Sequence, residues 1–263
     1  MKRVFITGAS SGLGAALARE YAARGALLGL VARREPVLRE LAASLPGSGG
    51  HQIYAVDVTD HAALAAAAAD FIDHASGIDV VIANAGISIG TLTGIAEDLP
   101  RFERVVATNL NATVATFMPF IAAMRRQAQA GERGCRLVGI ASVAGIRGLP
   151  GAAAYSASKA AVISYCESLR VEMRRERIRV VTIAPGYIDT PMTQSNAYPM
   201  PFLMPAERFA ARAVDAIEAG ISYRVIPWQM GVVARLLRLL PNWLYDLAFS
   251  RAPHKAREGA EAG

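Results

Sequence analysis

Tyr155 and Lys159 stand four apart in the run Tyr155-Ser156-Ala157-Ser158-Lys159, which continues into Ala160-Ala161-Val162-Ile163. On a helix, residues four apart share a face, so a phenol lies beside an ammonium. An ordinary Tyr titrates at about 10, too high for ready proton exchange at neutral pH. A neighbouring cation stabilises the phenolate and lowers that value. Bringing it to about 7 takes roughly 4 kcal/mol of preferential stabilisation. A Tyr tuned in this way can pass a proton to or from a carbonyl oxygen. Only three of the 28 basic residues are lysines: Lys2, Lys159 and Lys255. Eight Tyr and three Lys scattered over 263 positions would give about 0.09 such pairs by chance, so the spacing carries information. The plain alternative is an exposed helix pair worth a few tenths of a kcal/mol.

A second constellation opens the chain. Arg3-Val4-Phe5-Ile6-Thr7 is an apolar run suited to a buried strand. Gly8-Ala9-Ser10-Ser11-Gly12-Leu13-Gly14 follows at once, and Ala15 to Ala23 reads as a helix. Strand, glycine loop and helix in that order are the context of a dinucleotide site. Gly8 allows the tight turn, Gly12 a close approach of backbone to pyrophosphate, and Gly14 close packing of helix on strand. The helix N-terminus offers free N–H groups and a partial positive charge to phosphates.

The elements that must position these groups alternate along the chain. Strand-like runs cover 3–7, 26–32, 52–56, 78–83, 136–141, 178–184 and 223–227. Helical patterns lie near 12–24, 35–45, 61–75, 101–128, 152–176 and 206–219. Seven strands with intervening helices predict a parallel sheet covered on both faces, doubly wound, with ligands at the carboxyl ends of the strands. Residues 46–50 read as a loop and 252–263 as a frayed tail. A hydrophobic fraction of 53% over 263 residues is enough for one large α/β domain. Met1-Lys2-Arg3 leads straight into the first strand, so no signal peptide is expected, and the expected location is cytoplasmic. No run of eighteen uncharged apolar residues occurs, so no transmembrane helix is expected. Cys135 and Cys166 are isolated and read as two buried thiols in a reducing compartment. Four scattered His without a His-Glu-x-x-His pattern argue against a catalytic metal.

Together these segments resemble the short-chain dehydrogenase/reductase family over roughly residues 3–227. Thr7 to Gly14 fits its Thr-Gly-x-x-x-Gly-x-Gly signature. Asn84-Ala85-Gly86 fits most of its Asn-Asn-Ala-Gly motif, with Ala83 in place of the first Asn. Asn109 and Ser142 sit where the family has its catalytic Asn and Ser, Ser142 being 13 residues before Tyr155. Pro185-Gly186, with Ile188 and Thr190 following, fits the segment that embraces the nicotinamide. The resemblance implies a doubly wound Rossmann fold with strand order 3-2-1-4-5-6-7. It implies that Tyr155 is the general acid/base, that Lys159 lowers its pKa and binds the nicotinamide ribose, and that Ser142 positions the substrate oxygen. It also implies that Asn109 holds a water joining Lys159 to solvent. For the cofactor it points to Gly8, Ser10, Ser11, Gly12, Leu13, Gly14, Asp57, Val58, Asn84, Ala85, Gly86, Tyr155, Lys159, Pro185, Gly186, Ile188 and Thr190. Asp57 and Val58 would contact the adenine; the alternative for Asp57 is a cap on the helix beginning near Ala62.

Cofactor choice is read at the end of the second strand. An NAD site commonly places an acid there, for the ribose 2′-hydroxyl. Here the strand ends Leu30-Val31-Ala32-Arg33-Arg34. A planar, permanently charged guanidinium suits a 2′-phosphate. The expectation is therefore NADP(H) over NAD(H), and the family resemblance points to Arg33 as the main contact with Arg34 a second. A solvated basic helix start is the alternative.

The family resemblance implies a substrate lid at about 188–210. Residues 191–205 contain three Met, one Tyr, one Phe and no charge, which suggests an adaptable apolar cover. Ile146 and Leu149 would line the opposite wall. The expected activity is interconversion of a carbonyl and a secondary alcohol on an apolar or lipid-like small molecule. The alternatives are a 3-oxoacyl-thioester reductase and, in another class, a non-enzymatic dinucleotide sensor. Residues 228–263 form an apolar, basic helical extension that Pro241 divides into two short helices. It either lies on an anionic membrane surface through residues 228–250 or packs as a cap on the lid or on a second subunit. The net charge of +6 fits both, and also an anionic substrate carrier. No basic–aromatic pattern points to nucleic acid. The family resemblance implies a homo-oligomer, dimer or tetramer, through the helices near 101–128 and 152–176.

Overall fold

The first strand, β1 (Arg3–Thr7), is the centre from which the sheet grows in both directions. The computed structural model describes residues 1–47, 50–132, 134–194, 196 and 199–250. α1 (Gly12–Ala23) returns the chain to β2 (Leu27–Ala32), and α2 (Glu35–Ser44) leads to β3 (Gln52–Ala55). α3 (His61–Ala75) crosses to β4 (Val80–Ala83), beside β1 on its other flank. α4 (Leu99–Val106) and α5 (Ala112–Gln129) precede β5 (Arg136–Ile140), and α6 (Ala153–Glu172) precedes β6 (Arg179–Pro185). β7 (Ile188–Asp189), the single turn α7 (Pro191–Gln194) and β8 (Met204–Pro205) make up the lid region. α8 (Ala206–Ala219), β9 (Tyr223–Ile226), α9 (Trp228–Leu239) and α10 (Asn242–Phe249) complete the described chain.

The main sheet has seven parallel strands in the order β3-β2-β1-β4-β5-β6-β9. This is the expected order, with β9 as the seventh strand. The two extra strands, β7 and β8, pair only with each other, Ile188 opposite Met204. Strands β1, β4, β5 and β6 are apolar without alternation because both faces are covered. Val4 and Ile6 join Leu17, Tyr21, Phe209 and Ile217 on the side of α1 and α8. Phe5, between them, points the other way and packs against Phe71 and Phe120 from α3 and α5. Cys135 and Cys166 are free and buried, as expected.

Two departures from expectation bear on the site. The single helix expected over 101–128 is interrupted by a π turn at Ala107–Asn111. In addition, the rod Ala96–Gln129 is long and apolar enough to cross a membrane, by length and composition. Thr108, Asn109, Asn111 and Thr113 interrupt its apolar run, which is why the sequence test for such a segment passes over it. In the fold this rod packs on α3 and α6, with Phe117, Phe120 and Met124 buried in the core. Of the loop expected at 46–50, Ser48 and Gly49 lie outside the described residues, as do Ser195, Ala197 and Tyr198 of the lid and the tail 251–263.

Candidate active site

Every motif singled out in the sequence lies at the carboxyl edge of the sheet, where an open α/β sheet binds its ligands. The glycine loop follows β1, Arg33 and Arg34 follow β2, and Asp57 follows β3. Asn84 follows β4, Ser142 follows β5, and Gly186 follows β6. One edge therefore collects contributions from six strands.

The glycine loop is shaped by contacts that no side chain would permit. Gly8 has a positive φ of 68°, and a Cβ there would lie 2.8 Å from the Ala85 Cα. A Cβ on Gly14 would run into the Gly8 carbonyl oxygen. Asn84 holds the loop from the neighbouring strand: its Nδ2 donates to the Thr7 carbonyl at 2.9 Å and to the Gly8 carbonyl at 3.3 Å. The backbone N–H groups of Asn84 and Ala85 donate to Thr7 Oγ1 at 3.1 and 3.2 Å. The Asn84 side chain is thus committed to shaping the loop. Ala83, where the family motif has Asn, is buried in the apolar cluster under α3 and α5, where no polar partner is required. Ser11, the residue before α1, makes no side-chain cap, so the first N–H groups of a twelve-residue helix stay open toward the loop.

The two arginines after β2 take different partners. Arg34 donates to Ser10 Oγ at 3.1 Å, joining the glycine loop. Arg33 stands 3.8 Å from the Asp57 carboxylate and its side chain is 74% exposed. Arg34 is therefore at least as close to the phosphate cradle as Arg33. Asp57 accepts from the Thr59 N–H and hydroxyl, at 3.0 and 2.8 Å. The Thr59 backbone bond chiefly holds the Asp57 carboxyl below its usual range, helped by the Thr59 hydroxyl and Arg33 and opposed by burial. Asp57 does not cap α3; Asp60 does, accepting from Ala63 N–H at 3.0 Å. Val58 beside it is buried.

Tyr155 and Lys159 lie on the first turns of α6, one turn apart, as their spacing requires. Lys159 Nζ is 5.9 Å from the centroid of the Tyr155 ring and donates to the Ile140 carbonyl at 2.8 Å. It is buried, and burial brings its pKa down to about 8. Ser142 precedes the short 3₁₀ turn Val143–Gly145 and accepts from Ala144 N–H at 3.1 Å. Burial pushes the Tyr155 phenol upward, and its hydrogen bond with Ser142 opposes that rise. Among the protein groups, Ser142 rather than Lys159 opposes the rise. The ammonium is turned to Ile140, and desolvation of the phenolate outweighs what Ser142 supplies.

Asn109 joins this cluster through Ser158. It sits fully buried in the π turn, where Oδ1 accepts from Ile87 N–H at 2.8 Å. Its Nδ2 donates to the Ile87 carbonyl at 3.0 Å and to Ser158 Oγ at 2.9 Å. The side-chain amide is thus committed to protein partners. It fixes the strand-to-helix segment at Ile87 against α6, through a Ser158 that donates to the Tyr155 carbonyl at 2.9 Å. A Cβ on Gly86 would lie 3.2 Å from Asn109 Oδ1 and 3.4 Å from Lys159 Nζ, so these three residues meet.

Pro185 ends β6, and Gly186 N–H donates to the Ile226 carbonyl at 2.8 Å. A Cβ on Gly186 would come within 2.6 Å of Met230 Cγ on α9. Ile188 and Thr190 are buried, and the Thr190 methyl would touch a Cβ on Gly12 at 3.4 Å. The segment after β6 therefore closes over the glycine loop. Ile146 and Leu149 are half-buried beyond Ser142.

Sequence reasoning missed the clamp on this last loop. Arg147 donates to the Leu237 carbonyl, to the Leu240 carbonyl at 2.8 Å and to Asn242 Oδ1 at 3.2 Å. Its guanidinium lies 3.9 Å from the centroid of the Tyr245 ring, and the Tyr245 hydroxyl donates back to the Gly148 carbonyl at 2.5 Å. Among the described residues, the C-terminal extension is therefore a cap on the Ser142 loop. The available signal was a lone Arg in an apolar stretch, together with helix-end carbonyls needing a partner.

An open glycine-loop helix, basic side chains after β2 and a Tyr/Ser/Lys cluster fit a nicotinamide dinucleotide along the edge. Fold and site together define a dinucleotide-dependent oxidoreductase. The short chain dehydrogenase family model matches residues 2–199. The chain belongs to the short-chain dehydrogenase/reductase family and is an oxidoreductase of it. An uncharacterised oxidoreductase of Myxococcus xanthus is 37% identical over 251 residues, covering 95% of this chain and 97% of that one. An 11-beta-hydroxysteroid dehydrogenase of Arabidopsis thaliana is 33% identical, covering 75% of this chain and 55% of its own length. The crystal structure of a 3-ketoacyl-(acyl-carrier-protein) reductase from Brucella melitensis, complexed with NADH, superposes with a TM-score of 0.78. It is 25% identical and covers 86% of this chain and 96% of that one.

Proposed function

We propose that the protein is an NADP(H)-dependent reductase or dehydrogenase that interconverts a carbonyl and a secondary alcohol on an apolar small molecule. The observation that carries this is the meeting of Tyr155, Ser142 and Lys159 beside the glycine loop. A bound nicotinamide supplies or accepts the hydride. Ser142 and Tyr155 hold the substrate oxygen, and Tyr155 gives it a proton in reduction or removes one in oxidation. Burial favours the neutral phenol, so Tyr155 holds the proton that reduction requires. Lys159 binds the nicotinamide ribose and keeps a positive charge beneath the site below about pH 8.

NADP(H) is favoured because two arginines and no acid follow β2, and one of them is tied to the glycine loop. The apolar substrate class rests on the uncharged lid segment 191–205, where Met192, Phe202 and Leu203 are exposed. Met118 on α5 and Val171 on α6 are exposed on the helices proposed to join copies in a homo-oligomer. A second reading, reduction of a carrier-linked 3-oxoacyl thioester, is favoured by the Brucella structure and by the net charge of +6. The test is NADPH oxidation against short, long-chain, steroid and carrier-linked ketones, with NADH in parallel. Faster turnover of bulky apolar ketones with NADPH supports the first reading. Turnover confined to carrier-linked substrates replaces it with the second.

A further inference from the structure

The helices α9 and α10 are apolar on both sides. On α9 the inner face carries Met230, Gly231 and Ala234, all buried. Trp228, Val232, Leu236 and Leu239 recur at helical spacing on the opposite face, with Trp228 64% and Leu239 79% exposed. α10 repeats the arrangement: Tyr245 is buried, while Trp243 and Leu247, four apart, are 68% and 71% exposed. A helix seated on a protein surface ordinarily turns charged and polar groups outward. This hairpin turns outward six large apolar side chains, two of them Trp. Its inner face is already satisfied by Met230 against Gly186 and by the Arg147–Tyr245 clamp, so the outer stripe has no part in holding it down.

We propose that this outer face is a docking surface for an anionic lipid bilayer. Exposed Arg235 and Arg238 stand within the stripe, and Asp246 is the only acid between residues 228 and 250. Apolar side chains with Trp, bordered by Arg and nearly free of acids, are the composition of a helix lying in a lipid headgroup layer. Trp rings sit at the headgroup level, Leu side chains enter the acyl boundary, and the guanidiniums meet lipid phosphates. The charge is complementary to an anionic surface, and the chain as a whole carries +6. The docked hairpin is bonded to Arg147 and Gly148, just beyond Ser142, so the surface lies next to the loop that bears that residue.

The experiment is flotation of the full chain with vesicles of phosphatidylglycerol and phosphatidylcholine, and with phosphatidylcholine alone. Two variants accompany it: Leu236→Ser/Leu239→Ser/Trp243→Ser/Leu247→Ser, and Arg235→Gln/Arg238→Gln. All the changed residues are exposed, and circular dichroism with light scattering checks fold and size. The wild type should float with the anionic vesicles, and the apolar variant should lose at least about tenfold in partitioning. The arginine variant should lose most of its preference for anionic over neutral vesicles. Failure of the wild type to float, or equal flotation of the apolar variant, overturns the proposal. So does a wild-type dimer that the apolar variant converts to a monomer without vesicle binding, which would make the stripe an interface between copies.

Discussion

Burial acts on Tyr155 and Lys159 in the same physical sense, disfavouring the charged form of each, and so moves their pKa values in opposite directions. The phenol is held protonated and the ammonium is brought to about 8. The catalytic pair gives two outcomes. Tyr155→Phe should lower kcat by about 10² to 10⁴-fold, the usual worth of positioned proton transfer, while leaving NADPH affinity nearly unchanged by fluorescence titration. The reduction rate should also fall as pH rises through about 8: Lys159 has a lowered pKa, so its charged form is present below that value and lost above it. A profile flat from pH 7 to about 9 would mean that the Lys159 charge is not used. At the cofactor end, Arg33→Asp should weaken NADPH by roughly ten- to a hundredfold relative to NADH, the worth of a charge-assisted phosphate contact. Because Arg34 is bonded to Ser10, the same selectivity loss from Arg34→Ala alone would transfer the phosphate contact to it. The Tyr155/Lys159 pair was legible because four-residue spacing is a local property of a helix. The partner of Lys159 was not, because the Ile140 carbonyl comes from another strand and leaves no mark near residue 159.

At the scale of elements, the strands were legible because burial on both faces writes an unbroken apolar run into each one. The π turn was not, because it is set by Asn109 bonding to Ile87, 22 residues away, and to Ser158, 49 residues away. The Arg147 clamp was hidden for the same reason, with its partners 90 or more residues on. It satisfies carbonyls at the C-terminal end of α9 with a positive charge, the sign that a helix C-terminus prefers. Arg147→Ala should therefore free α9 and α10 from the Ser142 loop. Leaving helix-end carbonyls without their partner costs about 1–3 kcal/mol. The expected signs are faster amide exchange across 228–249 and a raised KM with kcat little changed, since Ser142 and Tyr155 themselves are untouched. Unchanged exchange across those helices would show that Met230 against Gly186 holds the hairpin alone.

At the scale of the molecule, Thr190 folds over Gly12 and Asn84 ties β4 to the glycine loop, so the edge is joined across the sheet. A dinucleotide lying along that edge would touch residues from β1, β2, β3, β4 and β6 and from α6 at once. Binding should therefore stabilise the whole fold rather than one segment. At a ligand concentration of about 100 times Kd, linkage adds about 2.7 kcal/mol. For a chain of this size that corresponds to a rise in Tm of roughly 5–10 °C. Arginines after β2 should make the rise larger with NADPH than with NADH at equal concentration, and high salt should narrow the gap because Arg33 is exposed to screening. An equal rise with both cofactors, independent of salt, would remove the 2′-phosphate from the account of Arg33 and Arg34. The glycine loop and the Tyr155 cluster would then remain as the determinants of binding common to both.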